Sequence, residues 1–265
     1  MSVVAEKDKD GRHNGSDSGG KVFVVGTGPG DISQITPAAK KAIEESTVIV
    51  GYKLYVDLIA PLIKDQRLCT SGMTAEVERC KEALEIAYTG ETVSVVSSGD
   101  PGIYGMAGLV LELNRKYGLE VEIVPGLSAV SAAAARAGAP LMHDFAVISL
   151  SDLLTPWEVI EKRLQCAAEG DFVIALYNPK SKKRVEQIEK AREIILQSRK
   201  GSTPVSVVTN ACREGESVII SDLENFTGEK IGMLTVVIIG NSQTVSEDGR
   251  MITPRGYETK YADSF

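Results

Sequence analysis

Short runs of β-branched and aliphatic residues alternate with longer helix-like stretches from residue 21 to residue 239, and this alternation restricts the fold more than any other feature. Strands are expected over 21–26, 47–50, 92–97, 120–124, 145–150, 171–177, 204–209, 216–220 and 233–239. Helices are expected over 36–46, 52–60, 74–89, 104–117, 128–137, 156–168 and 182–199. Three helix starts carry capping signals: Thr36-Pro37, Thr74-Ala75-Glu76-Val77 and Thr155-Pro156. Strands alternating with helices of this length imply βαβ units. The expected fold class is α/β, with two α/β domains built on mixed, largely parallel sheets. A break at Gly138-Ala139-Pro140 divides the chain into domains over 21–138 and 139–245, each with enough strands for its own sheet. Residues 1–20 and 246–265 are expected to be polar tails, the first disordered, and no repeat relates the two halves.

Composition excludes several classes of function. Aromatic residues make up 5% of the 265-residue chain, with Trp157 the one tryptophan, so stacking platforms for single-stranded nucleic acid are not expected. A formal charge of −7 argues against a nucleic-acid binder, although local basic residues can still line a cleft for an anionic small molecule. Cys69, Cys80, Cys166 and Cys212 form no Cys-x-x-Cys pair, and the two histidines are His13 and His143, so no metal site is expected. Reduced thiols in a cytoplasmic protein are the simplest reading of this cysteine usage. The N-terminal segment has no apolar core of a signal peptide, and no run approaches the roughly 18 apolar residues of a membrane helix.

The first strand runs into Gly26-Thr27-Gly28-Pro29-Gly30-Asp31. A dinucleotide-binding loop would need Gly-x-Gly-x-x-Gly and an acid about 20 residues later. Asp31 takes the third glycine position, Pro29 stiffens the middle, and the second strand runs into Gly51-Tyr52 instead of an acid. The loop therefore suits close backbone approach to something other than a pyrophosphate.

Ligands of open α/β sheets collect beyond the carboxyl ends of strands. Those ends carry Ser97-Ser98-Gly99-Asp100-Pro101-Gly102-Ile103-Tyr104-Gly105, Pro125-Gly126-Leu127-Ser128-Ala129, Asn178-Pro179-Lys180 and Asn210-Ala211-Cys212-Arg213-Glu214-Gly215. Each has a plain reading as turn punctuation. The density of such loops in one half favours a ligand, with Gly99, Gly102 and Gly126 letting backbone groups face it. Ser128 can cap the following helix, and the Ser128 and Ala129 amides point out of its N-terminus.

The ordered set Gly-x-Gly-Pro-Gly-Asp, Ser-Gly-Asp-Pro-Gly-Ile-Tyr-Gly and Val-Pro-Gly-Leu-Ser-Ala resembles the tetrapyrrole methyltransferases of cobalamin and sirohaem synthesis. Within that family, Pro140-Leu141-Met142-His143-Asp144-Phe145, the stretch from Ile148 to Trp157, and Leu176-Tyr177-Asn178-Pro179 resemble the precorrin-3B C(17)-methyltransferase group. The resemblance covers about residues 21–245, with no departure at these motifs; the N-terminal tail lies outside it. It implies a two-domain homodimeric protein that binds S-adenosyl-L-methionine in a cleft between the domains. Carried over by motif, the cofactor-binding residues are Gly99, Asp100, Ile103, Ser128, Ala129, Tyr177, Ala211, Thr235 and Val236. The resemblance puts Gly28, Pro29, Gly30 and Asp31 at the tetrapyrrole trough, where Arg136 and Arg213, and also Lys180 and Arg184, are candidates to pair with substrate carboxylates.

The implied reaction methylates carbon 17 of precorrin-3B or cobalt-factor III and contracts the ring. Methyl transfer from a sulfonium needs alignment and exclusion of water, with no metal or covalent nucleophile. Contraction benefits from a general acid or base, for which Asp31, Tyr104 and His143 are the candidates. Each also has a structural reading: a turn cap, a packing residue and a partner of Asp144. A different methylase of the same pathway and a nucleotide-binding regulatory module are the alternatives.

Overall fold

The computed structural model describes residues 19–72 and 74–261. The tail expected over 1–20, with His13, lies outside the described residues through residue 18. The chain forms two compact units.

The first unit holds the described residues through Gly28 together with Ile32–Gly126. Its elements are β1 (Lys21–Gly26), α1 (Pro37–Glu45), β2 (Val48–Tyr52), α2 (Lys53–Leu58), β3 (Arg67–Ser71), α3 (Glu76–Tyr88), β4 (Val93–Ser97), α4 (Ala107–Asn114) and β5 (Glu120–Val124). The strands form one sheet in the order β3-β2-β4-β1-β5, and every pairing is parallel. Helices cover both faces, so the inner strands are buried along their length instead of alternating between buried and exposed. Val22, Val24, Val93 and Val95 pack toward Cys80, Leu84 and Val110 on one face, while Phe23, Val25, Ile49 and Val96 pack toward Ala39 and Ile43 on the other. Thr36 caps α1 as its sequence suggests, accepting a 3.1 Å hydrogen bond from the Ala39 amide, with Pro37 in the first turn. The N-cap residue of α3 is Ala75, which makes no side-chain cap bond, and not Thr74, which is left-handed at φ 69°.

The second unit holds Pro29–Asp31 and the residues from Leu127 onward. It contains α5 (Ala129–Ala137), β6 (Gly138–Ala139), β7 (Phe145–Ser149), α6 (Trp157–Glu169), β8 (Val173–Tyr177), α7 (Gln187–Leu196), β9 (Pro204–Thr209), β10 (Ser217–Asp222), β11 (Thr235–Ile239), β12 (Val245–Glu247), β13 (Arg250–Ile252) and α8 (Tyr257–Lys260). Its main sheet has the order β10-β9-β11-β8-β7. Only β7 and β8 pair in parallel there; β8–β11, β9–β11 and β9–β10 are antiparallel. The parallel expectation thus describes the first sheet and not this one, because β9 to β11 follow one another through loops instead of crossover helices. One face packs on α6 and α7 through Ile148, Leu164, Leu176, Ile188 and Ile239. The other packs on the alanine-rich face of α5 through Ala175, Val208, Val236 and Ile238. That packing joins α5 to the second unit, so the division falls ahead of α5 and not at residue 138.

The segment expected to be a loose tail is folded. β12 and β13 pair antiparallel, β13 continues in parallel onto β6, and Met251 and Thr253 are fully buried. The Thr244 and Thr253 hydroxyls meet at 2.8 Å, and the Thr253 amide donates to the Ala139 carbonyl at 3.1 Å. Pro156, and not Thr155, is the N-cap residue of α6. Among the described residues no helix is long and apolar enough to cross a membrane, and no group of His, Cys, Asp or Glu is placed to hold a metal ion.

Candidate active site

In the first unit β4, β1 and β5 are neighbours, so their carboxyl-end loops lie side by side. The first two continue the sheet as a two-residue bridge: the Gly28 amide donates to Gly99 O at 3.1 Å and the Gly99 amide to Gly28 O at 2.7 Å. Both glycines are left-handed, at φ 74° and 70°. The third loop presses onto the other two. A Cβ on Gly126 would lie 2.1 Å from Gly99 O, and one on Gly26 would lie 2.5 Å from the Gly126 nitrogen. These glycines therefore serve the contact of loop with loop before any contact with a ligand.

Asp100 fastens the same loops. Its Oδ1 accepts from the Gly102 amide at 2.8 Å and its Oδ2 from the Gly126 amide at 3.1 Å. The carboxylate keeps lone-pair capacity for a ligand, but its first role is to shape the turn. That turn presents Ile103 and Tyr104 to solvent, and Tyr104 is held in the left-handed region at φ 55°, an uncommon conformation for an aromatic residue.

In the second unit the N-terminus of α5 is the organising feature. Ser128 caps it, accepting from the Ser131 amide at 3.3 Å, and the Tyr177 hydroxyl from the end of β8 accepts from the Val130 amide at 2.8 Å. The Ala129 amide is left as a first-turn donor with no partner among the described residues. Ala129, Tyr177, Ala211 and Val236 belong to one apolar cluster, so the fold brings together four residues that only motif carry-over had associated. Thr235 is buried and its hydroxyl is committed internally, 2.8 Å from the Thr209 hydroxyl and accepting from the Gly232 amide at 3.1 Å.

The Pro29–Asp31 segment meets Arg213, which donates from Nε to the Pro29 carbonyl. Gly30 sits beneath the same side chain: a Cβ there would lie 2.6 Å from Arg213 Cγ. Asp31 is exposed beside this contact. The loop that carries Arg213 is tight, with Asn210 and Cys212 both left-handed at φ 53° and 59°.

Other expected site residues lie elsewhere. His143 precedes β7, whereas Ser149 at the far end of β7 is in register with Tyr177. A strand length of about 15 Å therefore separates His143 from the Tyr177 end of the sheet. Its Nδ1 accepts from the Asp144 amide at 3.0 Å, beside a 290 Å³ cavity lined by Met142, Asp144 and Arg255. This geometry favours the structural reading of His143, at the end of β7 away from Tyr177. Arg136 is in the last turn of α5, where Nε is 2.9 Å from Glu216 Oε2. Its pKa lies above the ordinary value, through Cys212 first and Glu216 next.

Arg184, read from sequence only as a possible carboxylate partner, is an internal clasp. It donates to Asn178 O at 2.8 Å and to Ser151 Oγ at 3.4 Å, and burial lowers its pKa. The loops after β7 and β8 are tied by it, with Asn178, left-handed at φ 50°, donating to Ser149 Oγ at 3.0 Å. The sequence signal for this was the Asn-Pro pair after β8, since asparagine tolerates that conformation.

The sequence matches the Tetrapyrrole (Corrin/Porphyrin) Methylases over residues 21–227. The chain belongs to this family. The methylase is 48% identical over 236 residues to a probable cobalt-factor III C(17)-methyltransferase of Salmonella typhimurium, covering 88% of this chain and 98% of that protein. It is 50% identical over 248 residues to a cobalt-factor III methyltransferase of Priestia megaterium, covering 91% of this chain but 46% of the relative's length. Among solved structures, the methyltransferase CobJ superposes with a TM-score of 0.84 at 40% identity, covering 89% of this methylase and 100% of that chain. The α/β architecture of the family and the two α/β units described above agree.

Proposed function

We propose that this methylase transfers a methyl group from S-adenosyl-L-methionine to carbon 17 of precorrin-3B or cobalt-factor III, with ring contraction, in corrin biosynthesis. The substrate assignment rests on the near full-length similarity to the Salmonella protein and its name. For the donor, the supporting observation is the α5 N-terminus. Its Val130 and Ser131 amides are satisfied while the Ala129 amide is open, beside the small apolar wall of Tyr177, Ala211 and Val236. A helix N-terminus with one free donor suits an acceptor oxygen of a bound cofactor, and the wall suits its apolar portions.

S-adenosyl-L-methionine supplies an electrophilic methyl group whose transfer discharges the sulfonium. The chain's part is to orient and to exclude water. Asp100 shapes the loop that offers Ile103 and Tyr104. Ser128 and Tyr177 fix the α5 terminus that offers Ala129. In this reading Arg213 and the Pro29–Asp31 segment, with Gly28 leading into it, receive the macrocycle. Asp31 and Tyr104 remain the candidates for moving a proton during contraction. The methylase is read as a homodimer by family resemblance.

Incubation with labelled S-adenosyl-L-methionine and, separately, cobalt-factor III or metal-free precorrin-3B, followed by mass spectrometry, tests the proposal. The expected product gains one methyl group at carbon 17. Label transfer to neither macrocycle would refute the reading, and the preferred macrocycle identifies whether cobalt precedes methylation.

A further inference from the structure

β13 pairs in parallel with β6, with Met251 opposite Gly138, and this places Arg250 beside the end of α5. A Cβ on Gly138 would lie 3.2 Å from Arg250 Cβ, so absence of a side chain at Gly138 is what lets the strand in so closely. The result is a cavity of about 510 Å³ lined by Ala135, Arg136, Gly138, Ala139, Arg250 and Ile252. Its floor is built from small residues and its charged members are two guanidinium groups from separate elements.

Arg136 has ordinary reasons to be there. It complements the C-terminal dipole of α5 and pairs with Glu216. Arg250 has neither: among the described residues no carboxylate lies within ion-pair distance of it. Both guanidinium groups are exposed at the cavity, so water screens their mutual repulsion, and an anion held between them would be attracted by both. Glu216 is occupied, since the oxygen that meets Arg136 also accepts from the Cys212 amide at 2.6 Å. The buried network of Asn241, Thr244, Met251 and Thr253 meanwhile holds β13, and therefore Arg250, in register.

We propose that Arg136 and Arg250 form a carboxylate-binding site. Guanidinium forks match a carboxylate in geometry as well as charge, and a cavity of this size admits a flexible acid arm or a small free organic acid. The first source, an acid side chain of the macrocycle, rests on the function proposed above; the second does not.

The test uses the full chain, with R250Q, the charge-keeping R250K, and R115Q as a control at an exposed arginine of the first unit. Citrate binding is measured by calorimetry at low salt, independently of any methyl transfer, and KM is measured for the macrocycle and for S-adenosyl-L-methionine. Loss of one charge-assisted contact should weaken binding about tenfold in R250Q, with partial retention in R250K and no change in R115Q. A macrocycle KM raised about tenfold, with the cofactor KM unchanged, identifies the substrate's own arm. Weakened citrate binding with both KM values unchanged identifies a separate organic acid. Wild-type citrate affinity in R250Q together with an unchanged macrocycle KM overturns the proposal. If no methyl transfer occurs with either macrocycle, the citrate titration still decides it.

Discussion

Removal of the Asp100 carboxylate tests whether the loop after β4 is shaped before a cofactor arrives. Two backbone amides depend on it, Gly102 at 2.8 Å and Gly126 at 3.1 Å. The Gly102 turn is exposed, so water replaces much of that bond, and it contributes about 1 kcal/mol; the half-buried Gly126 bond contributes about 1.5 kcal/mol. Asp100→Ala should then cost roughly 2–3 kcal/mol without any ligand, a fall in Tm of about 5–10 °C for a chain of this size. Asp100→Asn separates geometry from charge. It retains an acceptor for Gly102 but turns an amide donor toward the Gly126 N–H, so most of the loss should persist. Thermal melts of the cofactor-free protein, with hydrogen exchange at the Gly102 and Gly126 amides, measure this directly. Cofactor affinity should fall in parallel. If both variants melt within 1 °C of wild type while losing cofactor, the carboxylate acts on the ligand alone and the scaffold argument fails.

Gly126→Ala places a methyl group 2.1 Å from Gly99 O, with backbone on every near side, and should destabilise the first unit by about 3 kcal/mol or more in urea titration; a near-neutral result would mean that the three loops are not in contact. His143→Ala should leave methyl transfer within about threefold of wild type, and abolished turnover in a folded variant would return His143 to the chemistry. Burial raises the Cys80 thiol from 9.0 to about 11. The folded state therefore keeps that proton where the unfolded chain has lost it, so the contribution is complete below about pH 9 and is lost as pH rises toward 11. The unfolding free energy of wild type relative to Cys80→Ala should fall by about 1 kcal/mol per pH unit across that window, and equal slopes for the two proteins would contradict it.

Legibility followed periodicity. β1 and β5 have the expected bounds: β1 is a buried, nearly continuous apolar run that ends at Gly26, and β5 is an edge strand whose glutamates alternate with aliphatic residues before Pro125-Gly126. β3 carried no such mark: Arg67–Ser71 lies at the sheet edge, largely exposed, and its order comes from pairing with β2. The hairpin of β12 and β13 was equally silent, since its stability lies in Met251 and a threonine–asparagine network that local composition does not distinguish from a polar tail. The antiparallel arrangement of β9 to β11 depends on partner choice, which strand-forming runs do not encode.

In the strand-end loops the glycines have a packing use that the motifs did not show. Gly99 and Gly126, read together with Gly102 as letting backbone groups face a ligand, pack against another loop's backbone, as do Gly26 and Gly28. This follows from strand order: a sheet that places β4, β1 and β5 side by side must bring their carboxyl-end turns within backbone distance, and any side chain there would separate them. Side chains facing away from that contact are turned to solvent, as Ile103 and Tyr104 are in the first unit. In the second unit the same reasoning selects Ala129, whose neighbours' amides are already taken by Ser128 and Tyr177. The failed dinucleotide pattern is explained in the same terms. Gly30 has a φ of 144° and lies under the Arg213 side chain, so a Cβ there would be both strained and crowded, and Asp31 is exposed beside that arginine.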